Sequence, residues 1–335
     1  MTLPAADLVV HEAPPTPGGE PERKAIAGRS PTRIAVDRLR KDPIALICFV
    51  TVVLFSLIAI FAGPLCDLFG VSTETVRAST RIDLTTNLPL EGPPNGSYDP
   101  EHPFGVAPAT GQDNLAVWIY GCQTSLYLAA MAAVFSTVIG VTLGLLAGFL
   151  GGVFDAIISF FTDLFLTFPF LLAALALAPI INERFGTDPD KLRTVSFYAL
   201  VGILVFFGWM GVARLVRGEV LSLREREFVH AARVIGVPTR RILFREMLPN
   251  LIAPIVVSFS LGLPAYVAAE AGLSYLGIGV FNRESWGQTI NTATKWWEEY
   301  PLYLIEPVLG IALLCVALNL LGDAIRDAFD PKTRR

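Results

Sequence analysis

The sequence predicts an all-α polytopic membrane protein with six transmembrane helices and both termini in the cytosol. Three observations predict it. Hydrophobic residues fill 53% of the 335 positions and charged residues only 17%, against roughly 25% charged in soluble domains. Apolar windows recur at 44–63, 123–149, 153–181, 197–216, 251–278 and 304–321, each long enough to cross a bilayer at about 20 residues per crossing. Basic residues are concentrated in alternate connections, and six crossings satisfy that alternation.

The first 42 residues are polar, and Pro14, Pro15, Pro17, Gly18, Gly19 and Pro21 form a run that cannot hold a helix. No apolar core of a leader lies near Met1, so a cleavable signal peptide is not expected. Ser30-Pro31 gives an N-cap followed by proline at the first helical position. A short helix over 31–41 is expected, with Ile34 and Leu39 able to touch the membrane surface; a disordered tail reaching Asp42 is the alternative. The first crossing occupies 43–63 and is followed by an outer loop, 64–121. A core of five crossings fills 122–330, and 331–335 form a short tail. The third apolar window is long enough to tilt or kink, and Pro169 in "LTFPFLL" marks the kink site.

Charge sets the orientation, because the total of −4 hides segregated signs. The segment before the first crossing carries Arg23, Lys24, Arg29, Arg33, Arg38, Arg40 and Lys41. The connection 214–250 carries Arg214, Arg217, Arg224, Arg226, Arg233, Arg240, Arg241 and Arg245, and the C-terminus adds Arg326, Lys332, Arg334 and Arg335. Loop 64–121 has only Arg77 and Arg81 against seven carboxylates. The positive-inside rule therefore places loop 214–250 and both ends in the cytosol. The basic residues form no face of the kind that binds nucleic acid.

Enzyme readings fail on their residues. "GLSY" at 272–275 has the Gly-x-Ser form of rhomboid intramembrane proteases, but His11, His102 and His230 all lie outside the spans, so Ser274 lacks a base. Ser274 reads instead as a packing residue between Gly272 and Gly277. No lysine follows a phosphate-binding glycine loop, so ATP would have to be bound by another subunit. No Cys/His cluster has metal-ligand spacing.

Asp163 in "FFTDLF" and Glu270 in "VAAEAGLSYLG" are carboxylates well inside apolar runs. They stand either on a substrate path or in hydrogen bonds that hold neighbouring helices. Cys66 and Cys122 bracket the long outer loop, where a disulfide or two free thiols would both fit. Trp286, Trp296, Trp297 and Tyr300 are expected to be exposed, at the interface belt or against an extracytoplasmic partner.

The stretch "EFVHAARVIGVPTRRILFREMLPN" (227–250) contains Ala-Ala-x-x-x-Gly at 231–236 and Pro249 thirteen residues later. A helix over 219–235 is expected, with small Ala231 and Ala232 facing a partner groove. Gly236 would end it, Pro238 would block continuation, and a second short helix would run from Thr239 to Pro249.

This pattern resembles the EAA loop of binding-protein-dependent ABC importer permeases, and more narrowly the dipeptide/oligopeptide/nickel subfamily. "HPFG" (102–105) before "IYGCQTSL" (119–126), "AAEAGLSYLGIGV" before "SWG" (285–287), and "LNLLGDAIRDAFDP" occur in the order seen in its C-type subunit. Three features depart from it. His230 stands where Glu is usual, which leaves that role to Glu227 or to no residue; Val106-Ala107 replace Thr-Asp, and Gln112 replaces Arg. The resemblance implies a type I ABC importer transmembrane domain in the plasma membrane. It also implies a heterodimer with a sister permease, two cytosolic ATPases carrying ATP and Mg, and a solute-binding protein. The chain itself would hold no cofactor and perform no chemistry. Its coupling loop, 214–250, would use Glu227, His230, Ala231, Ala232, Gly236, Leu248 and Pro249. The cargo implied is di- or oligopeptides, with nickel or another small solute as the alternative; a passive channel or scaffold is the reading from another class.

Overall fold

The structure is a computed structural model that describes residues 31–330 apart from 75–80, 95–97, 186 and 282. The proline-rich tail with Ser30, Arg77 and the basic end 332–335 lie outside the described residues, as does the side chain of Ile34.

Helix α1 (Pro31–Leu39) lies against the far end of the chain, where Arg38 donates to the carbonyls of Ala328 and Asp330. Asp42 then caps α2 (Pro43–Ile60) by accepting from the Ile44 and Ala45 amides. A proline at the first turn costs nothing there, because its missing N–H would have had no helical partner. The short α3 (Ala62–Phe69) follows, and an irregular segment leads to α4 (Asn114–Leu150). Then come α5 (Gly152–Leu166), α6 (Phe170–Phe185), α7 (Pro189–Arg224) and α8 (Glu227–Val234). The bundle ends with α9 (Thr239–Ile278), α10 (Trp286–Ala293) and α11 (Pro301–Phe329).

Among the described residues five of these helices are long and apolar enough to cross a membrane, or six when the bent pair α5–α6 is counted as one span. Their outward faces carry large apolar side chains such as Ile47, Phe49 and Leu54 on α2, and Phe154 and Phe160 on α5. That is the pattern of helices facing hydrocarbon or other membrane helices, not water.

Two elements differ from the sequence expectation. The third crossing is not a kinked helix but two helices bent by 79°. Pro169 cannot donate and pushes Phe168 away from helical geometry. At the break the Thr167 hydroxyl and amide both donate to the Leu164 carbonyl, at 2.6 and 3.2 Å. Helix α4 begins at Asn114, eight residues before the expected core boundary of 122, because Asp113 caps it through the amides of Leu115 and Ala116.

The centre of the bundle is the parallel pair α4 and α7. Gly140, Gly144 and Gly148 form one stripe of α4 at i, i+4 spacing. A methyl group built on Gly140 would stand 2.6 Å from the Val212 Cβ, on Gly144 2.6 Å from the Ala213 carbonyl oxygen, and on Gly148 2.7 Å from a Val220 methyl. Without a hydrophobic force between helices in lipid, such close backbone packing is what drives association.

We expect Gly144→Ala to destabilise the protein by about 1–3 kcal/mol through overpacking against backbone. Gly218 of α7 has nothing within 4 Å of its added methyl, so Gly218→Ala should leave the melting temperature unchanged or raise it slightly. Thermal melts of the two detergent-purified variants check the contrast.

Candidate functional site: a projecting helix and two polar clusters

Helix α7 ends at Arg224, and Arg226 adopts an extended backbone (φ −79°, ψ 146°) before α8 begins. The expected single helix 219–235 is therefore two helices. The break turns α8 so that Val229 and Ala232 bury against Leu145 and Phe149 of α4 and Val216 and Val220 of α7. Arg233 lies over the Phe149 ring, 4.9 Å from its centroid.

Gly236 closes α8 with a Schellman motif. Its amide bonds the Arg233 carbonyl, and the Val237 amide bonds Ala232, both at 3.0 Å. Gly236 has φ +78° and open space around its α-carbon, so it supplies a left-handed turn and not a close approach. Thr239 onward does not form a separate helix. It runs through a widened π turn, Ile242–Met247, into the crossing α9, with Pro249 in the first turn of the α-helical stretch that follows.

Ala231 is exposed, as are His230 and Glu227. Ala232 is not, which corrects the expectation that both alanines face a partner. The outward face of α8 is instead built by Phe228, Ala231 and Ile235, spaced i, i+3, i+7, with Val234 beside them. Val234 is 88% and Ile235 79% exposed. Sequence reasoning missed Phe228, Val234 and Ile235; their signal was a second apolar face on an eight-residue helix. His230 stands 3.8 Å from the Glu225 carboxylate in an exposed pair, and Glu227 sits in the first turn of α8, where a carboxylate suits the helix dipole. Leu248 is half-buried at the start of the α-helical part of α9.

The two intramembrane carboxylates part company. Asp163 is exposed and accepts from Arg214 of α7 at 2.5 Å. One turn pair away, Arg217 grips Asp155 with two hydrogen bonds, so α5 is strapped to α7 twice. Glu270 is fully buried where α4, α9 and α10 meet. Ser274 donates to its Oε1 at 2.7 Å, and Ser125 and Ser285 stand beside it. Ser274 is thus a partner of Glu270 as well as a packing residue.

At the opposite end of the bundle, "HPFG" folds over the start of α4. His102 Nδ1 lies 2.5 Å from Asp113 Oδ2, so the helix cap is itself held. Asn114 and Tyr300 both donate to the Phe104 carbonyl. Trp118 donates to Glu306 O, and Trp286 donates to Trp118 O. Trp286 and Tyr300 are therefore buried, which corrects the expectation that they are exposed; Trp297 is exposed and Trp296 half-buried. Gln112, the departure from the family's Arg, donates to Thr73 O and Glu284 Oε1. Gln112 and Glu284 line a polar cavity of about 270 Å³ with Arg283 and Tyr303.

Cys66 and Cys122 are free thiols, which answers the open disulfide question. Cys122 sits about 12 Å inside α4 at 1.5 Å per residue, where its Sγ donates to the Phe55 carbonyl. Cys66 packs in a different cluster, with Val71, Leu115 and Ile119. Burial first, then the carboxylates of Asp113 and Asp67, push the Cys66 thiol up to about 11, which suppresses the thiolate needed for exchange. Among the described residues no three His, Cys, Asp or Glu gather closely enough to hold a metal ion.

Known proteins share this arrangement. The permease chain of a MetNI methionine ABC transporter in inward-facing form matches with a TM-score of 0.51 at 18% identity, over 64% of this chain and 97% of that one. The fold is that of a type I ABC importer transmembrane domain. Residues 140–335 match the model of the binding-protein-dependent transport system inner membrane component, and residues 30–70 match that of the N-terminal TM domain of oligopeptide transport permease C. The chain belongs to the binding-protein-dependent transport system inner membrane component family. It is 32% identical to the dipeptide transport system permease protein DppC of Alkalihalophilus pseudofirmus, over 96% of both chains. It is 30% identical to the oligopeptide transport system permease protein OppC of Bacillus subtilis, over 95% of both.

Two outcomes are expected. Gly236→Ala forces a side chain into left-handed backbone and should cost about 1–2 kcal/mol at the α8 cap, read as faster amide exchange of residues 229–237 with the rest of the bundle unchanged. Burial raises the Glu284 carboxyl above its ordinary value, partly offset by the Gln112 hydrogen bond. A raised acid favours its protonated form when folded, so this contribution is present at low pH and lost as pH rises through the elevated pKa. Melting temperature should fall with pH across that window, and Glu284→Gln should flatten the slope.

Proposed function

We propose that this chain is one membrane subunit of an ATP-driven importer of di- or oligopeptides and forms half of its translocation pathway. The peptide assignment is supported by relatives matched along nearly their full length, whose names specify dipeptide and oligopeptide transport. In this reading the α8 end faces the cytosol of a cell with the chain in its plasma membrane, as the distribution of arginines requires. A sister permease completes the pathway, two cytosolic ATPases carry ATP and Mg, and a solute-binding protein delivers cargo at the opposite face.

The observation that carries the coupling role is the α8 tip. Large apolar side chains almost fully in solvent, on a helix locked by its buried face and glycine cap, make a rigid plug that needs a groove in another protein. Closure of the ATPases would push this plug, and the buried contacts of Val229 and Ala232 would pass the displacement to α4 and α7 as a rigid-body movement. Glu227, His230, Ala231, Leu248 and Pro249 flank or anchor the plug, and Gly236 sets its angle. The role of Ala232 is then internal transmission, not contact with the ATPase.

The test is Val234→Asp with Ile235→Asp in the reconstituted transporter. Both side chains are exposed, so insertion and melting should be unchanged. Uptake of a labelled peptide should drop at least tenfold, and ATP hydrolysis should no longer respond to loaded binding protein. Normal coupled uptake would refute the role of the tip. Competition of labelled uptake by nickel but not by unlabelled peptides would refute the cargo.

A further inference from the structure

Two hollows near the α8 end are left unused by the projecting tip. One, of about 480 Å³, runs between α4 and α9 and is walled by Val138, Val141, Leu145, Ile252, Ile255 and Phe244. Thr142 also borders it, but its hydroxyl is committed to the Val138 carbonyl at 2.7 Å. The other hollow, of about 640 Å³, is formed by Pro238, Arg240, Arg241, Arg245 and Phe244. Phe244 is a wall of both, so the apolar groove and the three arginines lie on either side of one side chain.

Local sequence produces this juxtaposition. Ile242, Leu243 and Met247 bury into the core around α8, which turns Arg240, Arg241, Phe244 and Arg245 outward on the widened turn. All three arginines are exposed, and none forms an ion pair or side-chain hydrogen bond among the described residues. Like charges a turn apart repel, so the cluster is stabilised by an anion. Arginine forks match phosphate oxygens two at a time.

The groove itself is lined almost wholly by apolar side chains. Such a lining suits an acyl chain. An apolar groove beside an unpaired cationic cluster calls for a ligand with a long apolar tail and an anionic head.

We propose that the α4–α9 groove binds one acyl chain of an anionic phospholipid whose phosphate is held by Arg240, Arg241 and Arg245. The lipid would fasten the start of α9 to α4 beside the α8 hairpin. A zwitterionic lipid offers the same chains, but its own ammonium competes for the phosphate. This site does not depend on which cargo is carried or on what α8 docks against.

The experiment uses the whole transporter complex purified in mild detergent, with bound lipid counted by native mass spectrometry. Phosphatidylglycerol should be retained and should raise the melting temperature. Phosphatidylcholine, which tests the chains without net charge, and glycerol 3-phosphate, which tests the head alone, should each bind at least tenfold more weakly. R240Q/R241Q/R245Q should lose that preference. Should the triple variant fail to fold, Ile252→Trp, which fills the groove and leaves the arginines intact, should still lower retention at least tenfold. A photo-reactive phenylalanine at position 252 should yield a phospholipid adduct. An adduct to another protein chain, or equal retention of the two lipids by wild type and variants, would overturn the proposal.

Discussion

Everything else in the bundle depends on how closely α4 approaches α7. With Gly140, Gly144 and Gly148 against Val212, Ala213, Val216 and Val220, the two backbones are nearly in contact. A side chain on any of the three would wedge them apart. The approach puts Arg214 and Arg217 of α7 within reach of Asp163 and Asp155 of α5. The broken third crossing is therefore strapped to the same pair. Exposed ion pairs are individually weak in water, and here they add position to a contact whose energy lies in packing.

The same approach builds the floor under α8. Phe149, Val216 and Val220 come together only because the ends of α4 and α7 lie side by side, and Arg224 spans them toward the Gly148 carbonyl. Val229 and Ala232 settle on that floor and leave Val234 and Ile235 outside. A plug seated on the most tightly packed pair of helices is mechanically suited to moving them as one body, because packed interiors transmit displacement without absorbing it.

At the far end the constraint is of another kind. Phe55, Trp118 and Trp286 pack as an aromatic cluster with centroids 5.4–5.9 Å apart. The indole N–H groups of Trp118 and Trp286 bond backbone carbonyls, so neither indole N–H is stranded. His102, Asp113, Asn114 and Tyr300 then tie the preceding loop onto the starts of α4 and α11. The bundle is thus clamped by hydrogen-bonded aromatics at one end and by backbone contact near the other, with Glu270 and its serine hydroxyls buried between.

Much of this was legible in the residues. Hydropathy runs located the crossings because burial in lipid is a property of composition over some 20 residues, which any arrangement of the helices must satisfy. Pro169 as a breaking point and Gly236 as a helix end are likewise local, set by one residue and its neighbouring backbone. What the sequence could not decide was which face of a helix meets which neighbour. Ala231 and Ala232 are indistinguishable as letters, yet one is exposed and the other buried, because the extended backbone at Arg226 turns α8 onto α4 and α7. Trp286 and Tyr300 read as interfacial by type and are core by placement, and the cysteines that bracket a loop along the chain sit in separate clusters across it. Composition and local stereochemistry determined that this chain spans a membrane and which stretches of it make the crossings. Only the tertiary structure decided what those helices present, because facing is set by contacts between residues far apart in sequence, each free to pair until packing excludes the alternatives.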